Sequence, residues 1–244
     1  MSPELEAAER AAYADAFRAA PELCEVAEID GATCMALRKI PERNFCRVMG
    51  LASTASLDEI AAFFGDTPWW ISDSHGLGPE LEGQGFTRDY GWMKFSRGVG
   101  PREARSDLSV VKVGPERADD FAAVVTGGFE MPEWAKPLAA NLVGRPGWSC
   151  YVAYDGEAPA GAGALYVHER VGWLGLGATL PQFRGRGAQS AILATRIEEA
   201  RRIGCTVVTT ETGELENGRP SNSYRNIARA GFREEGVREN YRAP

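Results

Sequence analysis

The chain has 244 residues, 44% hydrophobic and 25% charged, enough for one large core or two small ones. A net charge of −7 argues against nucleic acid as a partner, because gripping a phosphate backbone needs clustered Lys and Arg, and no window approaches 18 uninterrupted apolar residues, so no membrane partner is expected. The five cysteines are scattered without a CxxC spacing, and His75 and His168 are the only histidines, so neither a disulfide framework nor a metal site is indicated.

The opening "MSPELEAAERAAYADAFRAAP" is acidic and helix-patterned and lacks the basic-then-apolar order of a secretory leader, which makes the cytoplasm the expected location. "NFCRVMGLAS" reads as a strand ending in Gly-small. A helix "SLDEIAAFF" follows, with Ser56 as N-cap and Glu59 at capping-box distance. Next come a strand "WWISD", a short helix and "GQGFTRDYGWMKFSRG", where Gly-Phe opens a closing strand. Trp69, Trp70 and Trp92 read as core. Over 96–107, Gly, Pro and alternating charges replace any apolar period, which predicts a linker.

Beyond it the pattern is regular. "LSVVKV" predicts a strand. "PERADDFAAVVTGGF" predicts a helix opened by Pro115 and closed at Gly127 and Gly128, and "EWAKPLAANLV" a second helix with Pro137 near its first turn. The run from Trp148 to Leu180 predicts three antiparallel strands split at Asp155-Gly156 and Glu169-Arg170. "GAQSAILATRIEEARRIG" has the apolar spacing of a helix stopped by Gly204, "CTVVTTET" is a short β-branched strand, "PSNSYRNIARAGF" a helix ending at Gly231, and "FREEGVRENYR" a last strand.

The segment "QFRGRGAQS" thus joins a strand to a helix. Two readings fit its spacing. One is a solvated turn. The other is an anion cradle, in which Gly185, Gly187 and Ala188 clear the way for backbone amides at a helix start and Arg184 and Arg186 add charged donors. A Walker loop is excluded, since no Gly-Lys-Ser/Thr follows, and the antiparallel strands before it do not suit a Rossmann unit.

These residues resemble the GCN5-related N-acetyltransferase (GNAT) family. Its signature [Q/R]-x-x-G-x-[G/A] is matched to Arg184-Gly185-Arg186-Gly187-Ala188-Gln189, with Gln189 departing at the last position. The order of elements over 107–244 resembles the family as well. The resemblance implies a mixed α/β (α+β) fold: a mixed sheet, splayed between its fourth and fifth strands and flanked by helices. It also implies acetyl-CoA as cosubstrate and no metal. Backbone groups at Gly177, Ala178, Thr179 and Leu180 would pair with the pantetheine arm and polarise the thioester carbonyl, and residues 185–190, ending at Ser190, would seat the diphosphate.

The family's general acid is a Tyr four residues before a Gly-Phe pair; before Gly231-Phe232 that position is Ile227. Tyr224, one turn earlier, is the candidate substitute, with core packing as the competing role. Asn222 either caps its helix or contacts the pantetheine arm. Glu211 at the end of the fifth strand is the candidate base. Glu130 and Trp134, with Glu133 and Phe129, are the candidate acceptor-binding residues, suited to a cationic amine. His168 reads as surface.

The first half echoes the second in element order but has no Gly/Arg loop, which suggests a tandem chain: a degenerate, cofactor-free GNAT-like domain over 1–100, covering one side of a catalytic domain over 107–244 and shaping its acceptor pocket. The expected activity is acetyl transfer to an amine of a small molecule or peptide by direct attack in a ternary complex. The alternative is a non-catalytic acyl-CoA sensor, favoured by Ile227. A homodimer is left open.

Overall fold

A computed structural model describes every residue except 103 and 105. In chain order the elements are α1 (Pro3–Arg18), β1 (Glu25–Ile29), β2 (Ala32–Ala36), β3 (Cys46–Met49), α2 (Leu57–Phe64), β4 (Trp70–Ser72), α3 (Gly78–Gly83), β5 (Thr87–Gly98), β6 (Ser109–Lys112), α4 (Ala118–Gly128), α5 (Pro137–Ala140), β7 (Trp148–Asp155), β8 (Ala158–His168), β9 (Val171–Thr179), α6 (Ala188–Arg202), β10 (Val207–Gly213), α7 (Asn222–Arg229) and β11 (Arg233–Arg242). The architecture is mixed α/β. Two compact units form, one from Met1–Lys94, Thr212–Ser221 and Glu235–Pro244, the other from Phe95–Glu211 and Asn222–Glu234.

In the first unit the strand order is β1-β2-β3-β4-β11. β1 and β2 form a hairpin whose two turn residues, Asp30 and Gly31, take φ of 47° and 76°, the paired positive angles that let a two-residue turn follow the strand twist. β3 and β4 are parallel, joined through α2, and β11 lies antiparallel on β4 with Tyr241 opposite Ile71. α2 buries Leu57, Ile60 and Phe64, the spacing of one helical face, against Ile71 and Trp69. Trp69 stacks on Phe64 at 5.1 Å, so this tryptophan is core as expected. The expected capping box does not form: the Ser56 hydroxyl donates to Asp30 at 3.0 Å instead of closing on its own helix.

In the second unit β6, β7, β8 and β9 form the expected antiparallel meander, and β10 joins β9 in parallel. Successive strand residues face opposite sides. Gly161 and Gly163 of β8 therefore receive α6, through Ala188, Ile192 and Arg196, while Ala178 of β9, on the other face, receives the end of α4. Two expectations change in detail. Residues 96–98 continue β5, so the predicted seam begins after Gly98; residues 103 and 105 of it lie outside the described part. The helix expected over 133–143 splits into a 3-10 turn at Glu133–Ala135 and a single turn from Pro137, because proline has no N–H to extend a preceding helix.

All five cysteines are buried and free, and burial pushes the Cys24, Cys34 and Cys150 thiols up to about 12, so they are inert small hydrophobes at neutral pH. No helix among the described residues is long and apolar enough to cross a membrane.

Two predictions follow from the packing of α6. A Cβ added at Gly163 would lie 2.7 Å from Ile192 Cγ2 and 2.9 Å from Arg196 Cζ, so Gly163→Ala should lower the unfolding free energy in urea by about 1–3 kcal/mol. Glu199 bonds Arg202 at 2.7 Å and Lys112 at 3.0 Å, which holds its carboxyl down at about 2. A lowered carboxyl stabilises the fold above its ordinary range and loses that contribution as pH falls towards the folded value. Because Lys112 and Arg202 are more than half exposed, the gap between wild type and Glu199→Gln should be at most about 1 kcal/mol at pH 7 and should close between pH 4.5 and pH 2.

Candidate active site

The site begins where a ladder stops. β9 pairs with β10 at Val171↔Val207, Gly172↔Val208 and Trp173↔Thr209, and no further, yet β9 itself runs on to Thr179. Thr210 is the first residue past the last pair, and its hydroxyl donates to Leu174 O at 2.7 Å. Thr209 turns its own hydroxyl to Phe95 O at 2.9 Å. Beyond Leu174 the β9 edge facing β10 has no strand partner among the described residues, and Gly177 on it is exposed. β9 and β10 thus part after three pairs, where the family resemblance implied a splay between the fourth and fifth strands.

A bulge sits on this open edge. The β8–β9 register shifts between Ala162 and Ala164, and Leu176 takes φ of 53°, a left-handed conformation unfavourable for a side chain of this size. Beneath it lies Arg196 of α6, 2% exposed, whose Nη1 donates to Ala164 O at 2.8 Å and Gly175 O at 2.9 Å. Burial pulls this guanidinium down to about 10, which still leaves it charged at neutral pH. A buried cation is costly unless its donors find acceptors, and here carbonyl oxygens of both strands take the bonds from Nη1. Neither the bulge nor Arg196 was anticipated; an arginine on the apolar face of α6, level with Ile192 and Ile197, was the available signal.

After β9 a 3-10 turn, Pro181–Phe183, leads to α6. Gly185 and Gly187 both have φ of 82°, and the N-cap Gly187 offers no side chain to the helix. The first amides of α6 therefore have no partner within the helix, and no carboxylate lies in its first turn. The family signature also fits two residues earlier than the register that starts at Arg184. Gln182-Phe183-Arg184-Gly185-Arg186-Gly187 fills every position, and Gln189 falls inside the helix, outside the motif.

Gln189 has a different task. Its Nε2 donates to Ser223 Oγ at 3.2 Å and its Oε1 accepts from Asn226 Nδ2 at 2.6 Å, so it ties α6 to α7. The two loop arginines also differ. Arg186 is clamped by Asp155 through bonds of 2.5 and 2.9 Å, and that guanidinium holds the Asp155 carboxyl below its usual range. Arg184 is exposed.

Ile227, at the position of the family tyrosine, is 2% exposed and cannot reach solvent or a thiol. Tyr224 is half-buried, packs edge-on to Phe95 at 5.3 Å, and donates its hydroxyl to Glu234; that bond pushes the phenol above its ordinary value. Asn222 is the first residue of α7 and accepts from Arg225 at 3.1 Å. Glu211 is partly exposed on β10, two residues past the last ladder pair.

Across the face from α6, the end of α4 presses on β9. A Cβ at Gly127 would lie 2.8 Å from Leu180 Cδ2, and one at Gly128 2.7 Å from the Ala178 Cβ. This contact brings the turn after α4 beside Ala178 and Leu180, at the end of the open edge. That turn carries Phe129, 51% exposed, and Glu130 with φ of 56°; Trp134, 40% exposed, follows. Glu133 bonds Lys136 at 2.7 Å.

A parallel pair that parts after three residues, a glycine-lined strand-to-helix turn and a helix start without a side-chain cap together form an α/β site whose free amides suit an anion. Residues 119–220 match the model of the acetyltransferase (GNAT) family, and the chain carries a GNAT acetyltransferase domain there. Solved structures share the fold. A GCN5-related N-acetyltransferase from Kribbella flavida aligns with a TM-score of 0.67 at 14% identity, covering 100% of this chain and 96% of that one. One from Sphaerobacter thermophilus gives 0.62 at 14% identity over 87% of this chain and 80% of its own, and a GNAT-family acetyltransferase from Colwellia psychrerythraea 0.58 at 14% over 99% and 97%. No curated protein matches the sequence.

The α4–β9 contact makes a prediction. Gly128→Ala should destabilise the protein by about 1–3 kcal/mol in denaturant and change the fluorescence of Trp134, since the added methyl must push the turn away from Ala178.

Proposed function

We propose that the chain is an acetyl-CoA-dependent N-acetyltransferase acting on an amine of a small molecule or peptide. The observation that carries this reading is the end of the β9–β10 ladder at Trp173 and Thr209, together with the uncapped helix that β9 reaches through two left-handed glycines. The residues fit the cosubstrate. A diphosphate suits first-turn amides that have no partner in their helix, at the positive end of a 15-residue dipole.

Acetyl-CoA, when bound, supplies an activated acyl group as a thioester. The chain's part is to hold and polarise it. The amides of residues 185–190, with Arg184 alongside, bind the diphosphate, and the exposed β9 edge at Gly177, Ala178, Thr179 and Leu180 offers backbone groups to an extended arm and to a carbonyl oxygen. The acceptor amine attacks directly in a ternary complex. It is mostly protonated at neutral pH, so Glu211, or water beside it, takes its proton, and Tyr224 returns one to the departing sulfur. The bond to Glu234 suits Tyr224 to this role by keeping its proton in place through the neutral range. Phe129, Glu130 and Trp134 offer ring faces and a carboxylate to a cationic amine.

Calorimetric titration with acetyl-CoA, paired with assay of free thiol release against a panel of amines, tests the reading. Wild type should bind and turn over, the doubly charge-reversed Arg184→Glu/Arg186→Glu protein should lose binding at least tenfold, and Tyr224→Phe should lower kcat about 100-fold with little change in the KM for acetyl-CoA. Binding without thiol release on any amine would assign the chain to acyl-CoA sensing, the reading the buried Ile227 favours. No binding at all would end both.

A further inference from the structure

The first unit contains a cavity of about 330 Å³ that the acetyl-transfer reading does not use. It opens at the carboxyl ends of the parallel strands β3 and β4, beside Gly50 and Ser72, the position where open α/β sheets take ligands. α1 forms its wall through Glu6, Ala7, Glu9 and Arg10. At about 30 Å³ per water, the space admits roughly ten non-hydrogen atoms.

Two features show a built interior. Ser72 is 3% exposed and lines the cavity, yet its hydroxyl has no hydrogen-bond partner. An orphaned buried hydroxyl is unfavourable by about 1–3 kcal/mol unless something completes it. Gly50, with φ of 77°, leaves the space that the Arg10 guanidinium fills; a Cβ there would lie 2.2 Å from Arg10 Nη1. The glycine thus admits a cation to the cavity rim.

The charged side chains around this space are engaged to different degrees. Glu6 pairs with Arg238. Glu9, 1% exposed, faces two cations, Lys94 at 2.5 Å and Arg47 at 3.6 Å. Arg47 is fully buried, and its Nε and Nη1 have no partner. Arg10 spends its bond on a neutral acceptor, Gly31 O at 2.9 Å. Asp73, behind the loop that carries Ser74 and His75, gives its carboxylate to the amides of His75, Gly76 and Gly78. With Glu6 held by Arg238 and Glu9 by Lys94 and Arg47, two donors on the cavity lining face no carboxylate, the Arg10 guanidinium and the buried Ser72 hydroxyl.

We propose that this cavity binds a small anion, an organic acid or phosphate ester of about ten atoms whose acid group is met by Arg10 and the Ser72 hydroxyl. The site is complete within the first unit and stands whether or not the second unit transfers acetyl groups.

The test uses the full chain and two probes, inorganic phosphate and succinate, against sodium chloride of equal ionic strength. Thermal unfolding should show a saturable rise in Tm with at least one probe and none with chloride. Ser72→Ala removes an unpaired hydroxyl, so it should leave the ligand-free Tm unchanged or raised while weakening the anion about tenfold. Arg10→Gln should weaken it at least as much, and Ala7→Leu, which fills the space without altering charge, should abolish it. Circular dichroism of each ligand-free variant confirms folding. The proposal is overturned if neither probe stabilises the protein, or if the stabilisation survives unchanged in Ser72→Ala and Ala7→Leu, the mark of unspecific surface binding.

Discussion

Everything in the second unit's site depends on a parallel ladder that stops after three pairs. A strand edge freed of its neighbour leaves backbone donors and acceptors that must find water, a side chain or a ligand. Here Thr210 covers one carbonyl, Leu174 O, and from Gly175 onward the edge is left to whatever enters the gap. Such an edge would collapse onto its neighbour if β9 ran straight. The left-handed Leu176 and the register shift at Ala162/Ala164 prevent this, and the buried Arg196 pins the carbonyls on either side of the bulge. A hydrocarbon at position 196 could fill the volume but not satisfy those carbonyls.

Close approach on both faces of the sheet supports the same geometry. Gly161 and Gly163 let α6 come down onto β8, and Gly127 and Gly128 let the end of α4 come down onto β9. In each case the missing side chain carries the information. The positive end of α6 and the aromatic turn at Phe129 are thereby held by rigid elements, which is what precise placement of a ligand requires.

Much of this was legible because the second unit's residues obey local rules. The turns at Asp155-Gly156 and Glu169-Arg170 punctuate clear alternation, and the meander follows them to within a residue. Asp30-Gly31 carried the same hairpin signal between 25–29 and 32–36, yet the short strands around it offered no apolar alternation to match, so that hairpin went unread. Ser56 shows the limit of local rules from the other side: its hydroxyl is turned to Asp30, brought near by the hairpin, and makes no bond to its own helix. Long-range partners of this kind, like the Gln189 bridge to Ser223 and Asn226, leave no trace in spacing. The signature differs from these cases, because the register Gln182 to Gly187 satisfies it by residue type alone and owes nothing to long-range partners.

Two of the strand-to-helix junctions, β3 to α2 and β9 to α6, show how little separates the proposed phosphate site from an ordinary turn. Both bring a helix start to the carboxyl end of a parallel strand. α6 enters through Gly187 with no acidic residue in its first turn, while α2 carries Asp58 and Glu59 there. Carboxylates in a first turn answer the helix dipole internally and repel a diphosphate, so α2 is stabilised where α6 is left waiting for an anion. In the first unit Arg10 and the Ser72 hydroxyl are donors without a carboxylate partner, set against a cavity too small for a nucleotide but large enough for a simple acid. The ligand class proposed for each unit follows from where the fold leaves an amide or a buried hydroxyl without an internal partner.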